Sequence, residues 1–575
     1  MARSNQIANI LLVWLVIVLV DLLVVRDFTW VVDNWDIKRV VVNFGLSSLA
    51  LLSLLFLLKP VITKSHVFRL AIYIVIAMPM LIQMSHFEVY RSFASSFGFY
   101  AFVEDPWMAL SLWVEQFNII KSIIILGAVY WSMRLLSLPS KPIVKWRYGL
   151  NILGFILLYL LTTFSWYGVS NFQNSTLAYY STLLQMTKGQ VLEFNHDKAI
   201  VPTSSRSIDD SPNIVYIVGE SLTLSNMGIY GYEKDTTPNL QILKDNKKII
   251  AFDNALSIGT HTRLSVPYML VGMEGIDPLG RFYQTPTIFN YAKARGYNTA
   301  FISAQDTSWG HIKELFVDRD VDYFWDGVQM NKDASVHKGA DDMRVLEEVV
   351  MPYIDRQKTP FMLVLQMDGS HYPYAIHSTK RHKKFLPELE ENSINSYDNT
   401  IVKTDDYIAT LINYVQSKNP NSWVFYSPDH GQGLGGKSGM FNQSFTKNTI
   451  HNPLIIAPPK VQYQQVLLNK DRPISQADIV PTILDIINMK PHENINGRSL
   501  LNQQEVDRLR VVSKYMPTQH NEKKAVLVKP DLSYYFIDFD KMSVTMPGGN
   551  KTIRFKDWDQ GYQDIFVNKI PDLLN

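Results

Sequence analysis

The stretch Asn213-Ile214-Val215-Tyr216-Ile217-Val218-Gly219-Glu220-Ser221 reads as a short apolar strand that stops on a glycine and an acid. Further strands are predicted at Thr299–Ser303, Phe361–Met367, Trp423–Ser427 and Pro453–Ala457, and Ile250–Phe252 is strand-like. Helices are expected at about Pro286–Arg295, Asp341–Arg356, Asn399–Ser417 and Ala477–Asn488. Short apolar runs alternating with amphipathic helices are the signature of an α/β sheet with mostly parallel strands. Such sheets bind ligands beyond the carboxyl ends of their strands, so the chemistry is sought just after each one.

Glu220 follows the first strand, and Ser427-Pro428-Asp429-His430-Gly431 follows another. Two carboxylates and an imidazole on one rim suit a borderline-hard divalent cation such as zinc. Taken singly, each also fits a plain role, Glu220 at a helix start and Asp429-His430-Gly431 in a turn. Between them lies Gly259-Thr260-His261-Thr262-Arg263-Leu264-Ser265-Val266-Pro267. Ser265 is expected to cap a helix carrying Pro267 in its first turn, with Thr262 just ahead of the positive helix end. A hydroxyl there, coordinated to a metal, loses its proton more readily and becomes a nucleophile; Thr260 and Thr262 also fit as capping hydroxyls. His371, in Gly369-Ser370-His371, and His451, ahead of Pro453, each read either as a group facing substrate or as a loop histidine.

Upstream, apolar runs of about membrane-spanning length, roughly 20 residues for a helix, occupy Ala8–Val25, Val40–Leu58, Val67–Met84 and Leu150–Val169. A fifth and weaker run, Asn118–Leu136, has Lys121 and Arg134 near its ends, where long basic side chains reach the interface. Five spans place Arg3, Lys59, Lys64, Arg69, Arg134, Lys141, Lys145 and Arg147 on one side, the cytoplasmic one. Everything after Val169 then lies outside. The first run lacks a small-residue cleavage site and is taken as an anchor. The expected domains are a five-helix transmembrane unit over 1–170, a linker with an interfacial helix over 171–210, and an α/β domain over 211–575. The last of these ends in a small antiparallel meander from about 511, through Ala525–Val528, Tyr534–Phe539, Ser543–Met546 and Thr552–Phe555.

The 575 residues contain no cysteine, which excludes disulfides and thiolate metal sites. A net charge of +2 and the lack of a basic tract argue against a nucleic-acid partner.

In this order and behind apolar spans, these segments resemble the lipid A and lipopolysaccharide-core phosphoethanolamine transferases, membrane members of the alkaline phosphatase/sulfatase superfamily. The resemblance is carried by Val218-Gly219-Glu220-Ser221, Tyr230-Gly231-Tyr232, Thr236-Thr237-Pro238-Asn239-Leu240 and Gly259-Thr260-His261-Thr262. It continues through Gly369-Ser370-His371, Asp429-His430-Gly431 and Asp478-Ile479-Val480-Pro481-Thr482. It implies that Glu220, Thr262, Asp429 and His430 hold a catalytic divalent metal, zinc, and that Thr262 accepts phosphoethanolamine from phosphatidylethanolamine before passing it on. His371 maps beside the phosphoryl group and the acceptor. The implied setting is the bacterial inner membrane, with a monomeric enzyme whose catalytic domain faces the periplasm.

The chain departs from that pattern at Gln366 and Asn442, where relatives carry histidines, at Gln432, where they often carry Glu, and at Ile258 and Tyr268, where many have cysteines. These departures put a second zinc in doubt and move the expected acceptor from lipid A toward lipopolysaccharide core sugar or another glycan. The aromatic loop Ser85–Trp107, with Glu88 and Arg91, is a candidate for holding the donor headgroup, and its aromatics also fit as span anchors. A phosphoglycerol transferase using phosphatidylglycerol and a non-catalytic lipid-binding relative are the competing readings.

Overall fold

The computed structural model describes residues 6–26, 28, 31, 44–90, 93–94, 117–139, 145–164, 173–186, 198–204, 207–208, 211–307, 313–331, 338–388, 393–435, 440–441, 444–515 and 523–567. The chain divides into two compact units, Met1–Val191 and Leu192–Asn575.

The first unit is helical: α1 (Gln6–Val20, continued by a π-turn over Asp21–Val25), α2 (Leu46–Lys64), α3 (His66–Tyr90), α4 (Ile119–Leu136), α5 (Lys145–Phe164) and α6 (Ser175–Met186). Among the described residues four helices are long and apolar enough to cross a membrane, Ile7–Val25, Leu46–Lys64, His66–Glu88 and Ile119–Leu136. Five were expected, and the remaining run, Leu150–Val169, is described only in part. Asn118–Leu136 forms a full helix, capped by the Asn118 side chain on the Lys121 amide. The expected span Leu150–Val169 begins within α5, whose described apolar part is Tyr148–Thr163, and its last residues, 165–169, lie outside the described ones.

The unit inverts the soluble pattern, with Leu11, Leu15, Leu19, Ile120 and Ile123 exposed and polar groups inside. Lys59 is buried and donates to the Leu136 carbonyl at 2.9 Å and the Leu138 carbonyl at 3.2 Å, satisfying acceptors at the end of α4. Asp21 and Arg26 pair at 3.0 Å. Asp21 also accepts from the Asn174 side chain at 3.0 Å and the Ser175 amide at 3.1 Å, which ties the start of α6 to α1. Charged groups in apolar surroundings persist when paired in this way.

The second unit is built on a seven-stranded sheet of β1 (Ile214–Gly219), β2 (Ile250–Phe252), β3 (Asn298–Ser303), β4 (Tyr323–Trp325), β5 (Phe361–Gln366), β6 (Trp423–Pro428) and β7 (Leu454–Ala457). The strand order is β2-β7-β6-β1-β5-β3-β4. All neighbours are parallel except β7, which runs antiparallel to β6 and β2. Side chains alternate across each strand, and both faces are covered. Ile214, Tyr216 and Val218 join one apolar core, and Val215 and Ile217 join the other. Helices α8 (Thr262–Val271), α9 (Ile288–Arg295) and α11 (Ile479–Ile486) pack into the first core, and α7 (Pro238–Asp245) and α10 (Ile394–Lys418) into the second.

The expected strands and helices are present to within a few residues. The three-residue edge strand β4 was not foreseen. The tail forms a five-stranded antiparallel sheet, the four expected strands joined by Arg510–Ser513. Buried Arg510 fastens that sheet to the α/β unit, donating to the carbonyls of Asn254 at 2.8 Å, Ile474 at 3.2 Å and Lys529 at 3.2 Å.

Candidate metal and nucleophile site

Strand register explains why distant residues meet. β1 lies between β5 and β6, with Gly219 opposite Pro428 and Val218 opposite Gln366. Glu220, Asp429 and the loop to His371 therefore leave the sheet side by side. The Asp429 amide still bonds the Gly219 carbonyl at 3.0 Å, and the Ser370 amide bonds the Glu220 carbonyl at 3.2 Å. Ser221 turns the chain with a φ of 50°, an uncommon conformation for a residue with a side chain. That turn is held from both sides. The Ser221 amide donates to Asp429 Oδ1 at 3.1 Å, and the Tyr397 hydroxyl donates to the Ser221 carbonyl at 2.8 Å.

Glu220, Asp429 and His430 are buried, and one ligand atom from each lies within 4.8 Å of the others. His430 Nδ1 is 2.8 Å from the Gly431 carbonyl, an acceptor, so Nδ1 carries the proton and Nε2 presents its lone pair. Nε2 lies 3.2 Å from Asp429 Oδ2 and 3.8 Å from Glu220 Oε1. Asp429 Oδ2 is buried without a hydrogen-bond donor. Burial, and then the Glu220 charge beside it, push the Asp429 carboxyl up to about 7, with His430 and Thr262 opposing. Electron pairs from two carboxylates and an imidazole converging on one buried spot fit a divalent cation, which removes the repulsion and replaces the lost solvation.

Thr262 stands at the same place. Its Oγ1 is 3.4 Å from Glu220 Oε2 and 3.5 Å from His430 Nε2. The expected helix start needs correction. Helix α8 begins at Thr262 itself, because the His261 carbonyl accepts the Leu264 amide at 3.1 Å and the Ser265 amide at 3.0 Å. Ser265 is thus an internal residue, and Pro267 lies inside the helix rather than in its first turn. The shift strengthens the placement, since Thr262 is the first helical residue at the positive end of the dipole.

His371 follows β5 at the rim. Burial lowers its imidazole pKa while the Glu220 carboxylate acts against that shift, as expected of neighbours. Its loop is anchored through Asp342, which accepts the amides of Asp368 at 2.8 Å and Gly369 at 3.1 Å and pairs with buried Lys403 at 3.2 Å. His451 is 7% exposed, and its Nε2 bonds the Asp253 carbonyl at 2.9 Å, so the structure gives it a backbone partner apart from the cluster. Glu88 is in the first unit, paired with Lys121 at 2.9 Å and accepting from Asn118 at 3.0 Å. Arg91, Asn442 and most of the Ser85–Trp107 loop lie outside the described residues.

Two glutamine contacts were missed. Gln305, two residues beyond β3, donates to Glu220 Oε2 at 2.9 Å. The rule that chemistry follows strand ends reaches it, but an amide carries no ligand signature. Gln476 links the two functional loops, accepting from the Ile258 amide at 3.0 Å and donating to Ser427 Oγ at 3.0 Å.

Residues 212–489 match the sulfatase family model. Over 280 residues the chain is 25% identical to a Kdo(2)-lipid A phosphoethanolamine 7''-transferase of Escherichia coli K12, an alignment covering 46% of this chain and 45% of that protein. It is 25% identical over 254 residues to the phosphoethanolamine transferase EptC of the same organism, covering 41% and 43%. The chain thus spans less than half the length of these curated relatives. Among solved structures it is similar to the integral membrane lipooligosaccharide phosphoethanolamine transferase A (EptA) of Neisseria meningitidis. That match has a TM-score of 0.62 at 16% identity and covers 86% of this chain and 97% of that one, which is a likeness of fold.

Proposed function

We propose that this chain, whose residues 212–489 match the sulfatase family model and follow apolar helices, transfers phosphoethanolamine from phosphatidylethanolamine to a cell-envelope glycan, the lipopolysaccharide core sugar. The observation that supports this most is the hydroxyl of Thr262, set at a helix start against Glu220 and His430. The relatives named as phosphoethanolamine transferases supply the transferred group.

Thr262 Oγ1 attacks phosphorus in line with the lipid oxygen. The Oγ1–P bond forms, the P–O bond to the glycerol breaks, and diacylglycerol leaves after taking up a proton. An acceptor hydroxyl then attacks the phosphothreonine-type adduct and Thr262 departs. Two displacements replace one hard exchange between membrane lipid and sugar. A divalent cation held by Glu220, Asp429 and His430, zinc by its donor set, would lower the pKa of the Thr262 hydroxyl and offset phosphoryl charge. In this reading Glu220 Oε2, 3.4 Å from Thr262 Oγ1, accepts the Thr262 proton, and the positive end of α8 favours the anionic group. On the same reading His371 carries the proton of the lipid oxygen or of the acceptor. The proposal sets the α/β domain in the periplasm, with Glu88 and Arg91 candidates for the donor headgroup.

The purified full-length protein is incubated with labelled phosphatidylethanolamine or phosphatidylglycerol, and diacylglycerol is measured. Release from phosphatidylethanolamine is expected, whereas release from phosphatidylglycerol alone would reassign the donor. Loss of a phosphoethanolamine increment on the core of lipopolysaccharide from a deletion strain would identify the acceptor.

A further inference from the structure

Gln366 stands where a histidine was expected from the resemblance, and the structure gives it a different task. It is 3% exposed at the end of β5. Ser303 Oγ accepts the Gln305 backbone amide at 3.0 Å, and of the two acceptors within reach of its hydroxyl, Gln366 Oε1 at 3.2 Å is nearer than the Gln305 carbonyl at 3.4 Å. With Oε1 accepting, Gln366 Nε2 is the donor to Gln305 Oε1, at 3.0 Å. Gln305 Nε2 then donates twice, to the Met367 carbonyl at 2.8 Å and to Glu220 Oε2 at 2.9 Å. The Met367 carbonyl only accepts, so it fixes the same orientation of the Gln305 amide independently of Ser303.

Glu220 is thereby held at both oxygens. Oε2 takes Gln305, and Oε1 takes the Ser221 hydroxyl at 2.6 Å. A rotation of the carboxylate breaks a hydrogen bond to an ionised group, a strong kind. The amides bring direction without adding a charge. A lysine or arginine in the place of Gln305 would compete with a cation.

We propose that Gln366 and Gln305 form a neutral hydrogen-bond relay that orients the Glu220 carboxylate for metal binding. Both are positioning residues, and the inference rests on the metal reading above. Partners that orient a metal ligand typically set about 10- to 100-fold in metal affinity.

The test is a zinc titration of metal-stripped full-length protein in competition with a chelating dye, with the thermal midpoint of the metal-free protein read beside it. Gln305→Leu is expected to bind zinc about tenfold or more weakly at an unchanged metal-free midpoint. Gln366→Met removes the N–H donor at this position and leaves Gln305 Oε1 without its partner, so the Gln305 amide is held from one side only. It too is expected to lose about tenfold. Gln366→His keeps an N–H and is expected to stay within about threefold of wild type. The Gln366 pair decides the matter alone if Gln305→Leu lowers the metal-free midpoint. Wild-type affinity in Gln305→Leu and Gln366→Met, with binding lost in Glu220→Ala, overturns the relay and leaves the metal reading standing. Failure of the wild type to bind zinc overturns the metal reading and the relay with it.

Discussion

Replacing Gly369 by alanine tests whether the His371 loop needs its close approach to Glu220. Gly369 has a φ of 53°, and a Cβ built there would lie 3.0 Å from both Cβ and N of Glu220 and 3.2 Å from its carbonyl oxygen. The left-handed conformation alone costs an alanine about 1 kcal/mol. The added contacts are mostly with backbone, so no rotamer change relieves them and the loop and Glu220 must separate. Misplacement of a reacting constellation by about 1 Å costs roughly 100-fold in rate, so a shift of a few tenths of an ångström predicts a loss of about tenfold. Gly549→Ala is the control, because Gly549 has a φ of 76° with nothing within 4 Å of a built Cβ. Both variants are compared by thermal unfolding and by diacylglycerol release from phosphatidylethanolamine. Gly549→Ala is expected to lose about 1 kcal/mol with an unchanged rate, and Gly369→Ala to lose more stability and about tenfold in rate. A wild-type rate in Gly369→Ala refutes the close-approach argument.

Buried His451 makes stability depend on pH. Its imidazole is held down to about 4, chiefly by burial, against an ordinary value of 6.5. The unfolded chain therefore binds this proton first. The contribution is intact above pH 6.5 and is lost as pH falls from 6.5 to about 4, by up to about 3 kcal/mol. Thermal unfolding of wild type and His451→Gln at pH 7.5 and 4.5 measures it, with a smaller acid loss expected in the variant and an equal loss contradicting the assignment. Arg508 forks onto Asp478 at 2.7 and 2.9 Å, with both side chains buried. Arg508→Ala strands that carboxylate and is expected to cost about 3 to 5 kcal/mol, seen as a sharply lowered unfolding temperature. A drop of under about 1 kcal/mol, as for an exposed pair, would contradict it.

The parallel sheet was legible because its central strands are fully buried and largely apolar and its turns are marked by glycine and acid. Val218-Gly219-Glu220 and Ser427-Pro428-Asp429-His430 announce both strand ends and ligands. What escaped was set by tertiary contact. β4 is three residues long and carries too little pattern to detect. The start of α8 depends on the His261 carbonyl rather than on a capping side chain, so Ser265 misled. The α4 run, weakened in the sequence by Lys121 and Arg134, is a full apolar helix with both charges near its ends. Gln305 and Gln366 act through hydrogen-bond direction, which is fixed only once β1, β3 and β5 lie together.

The most direct test of the central claim is intact-protein and peptide mass spectrometry of the full-length chain quenched during turnover with phosphatidylethanolamine. A phosphoethanolamine increment on the peptide containing Thr262, absent in Thr262→Ala and after treatment with chelator, is predicted. An increment on Thr260, or undiminished diacylglycerol release by Thr262→Ala, would contradict it.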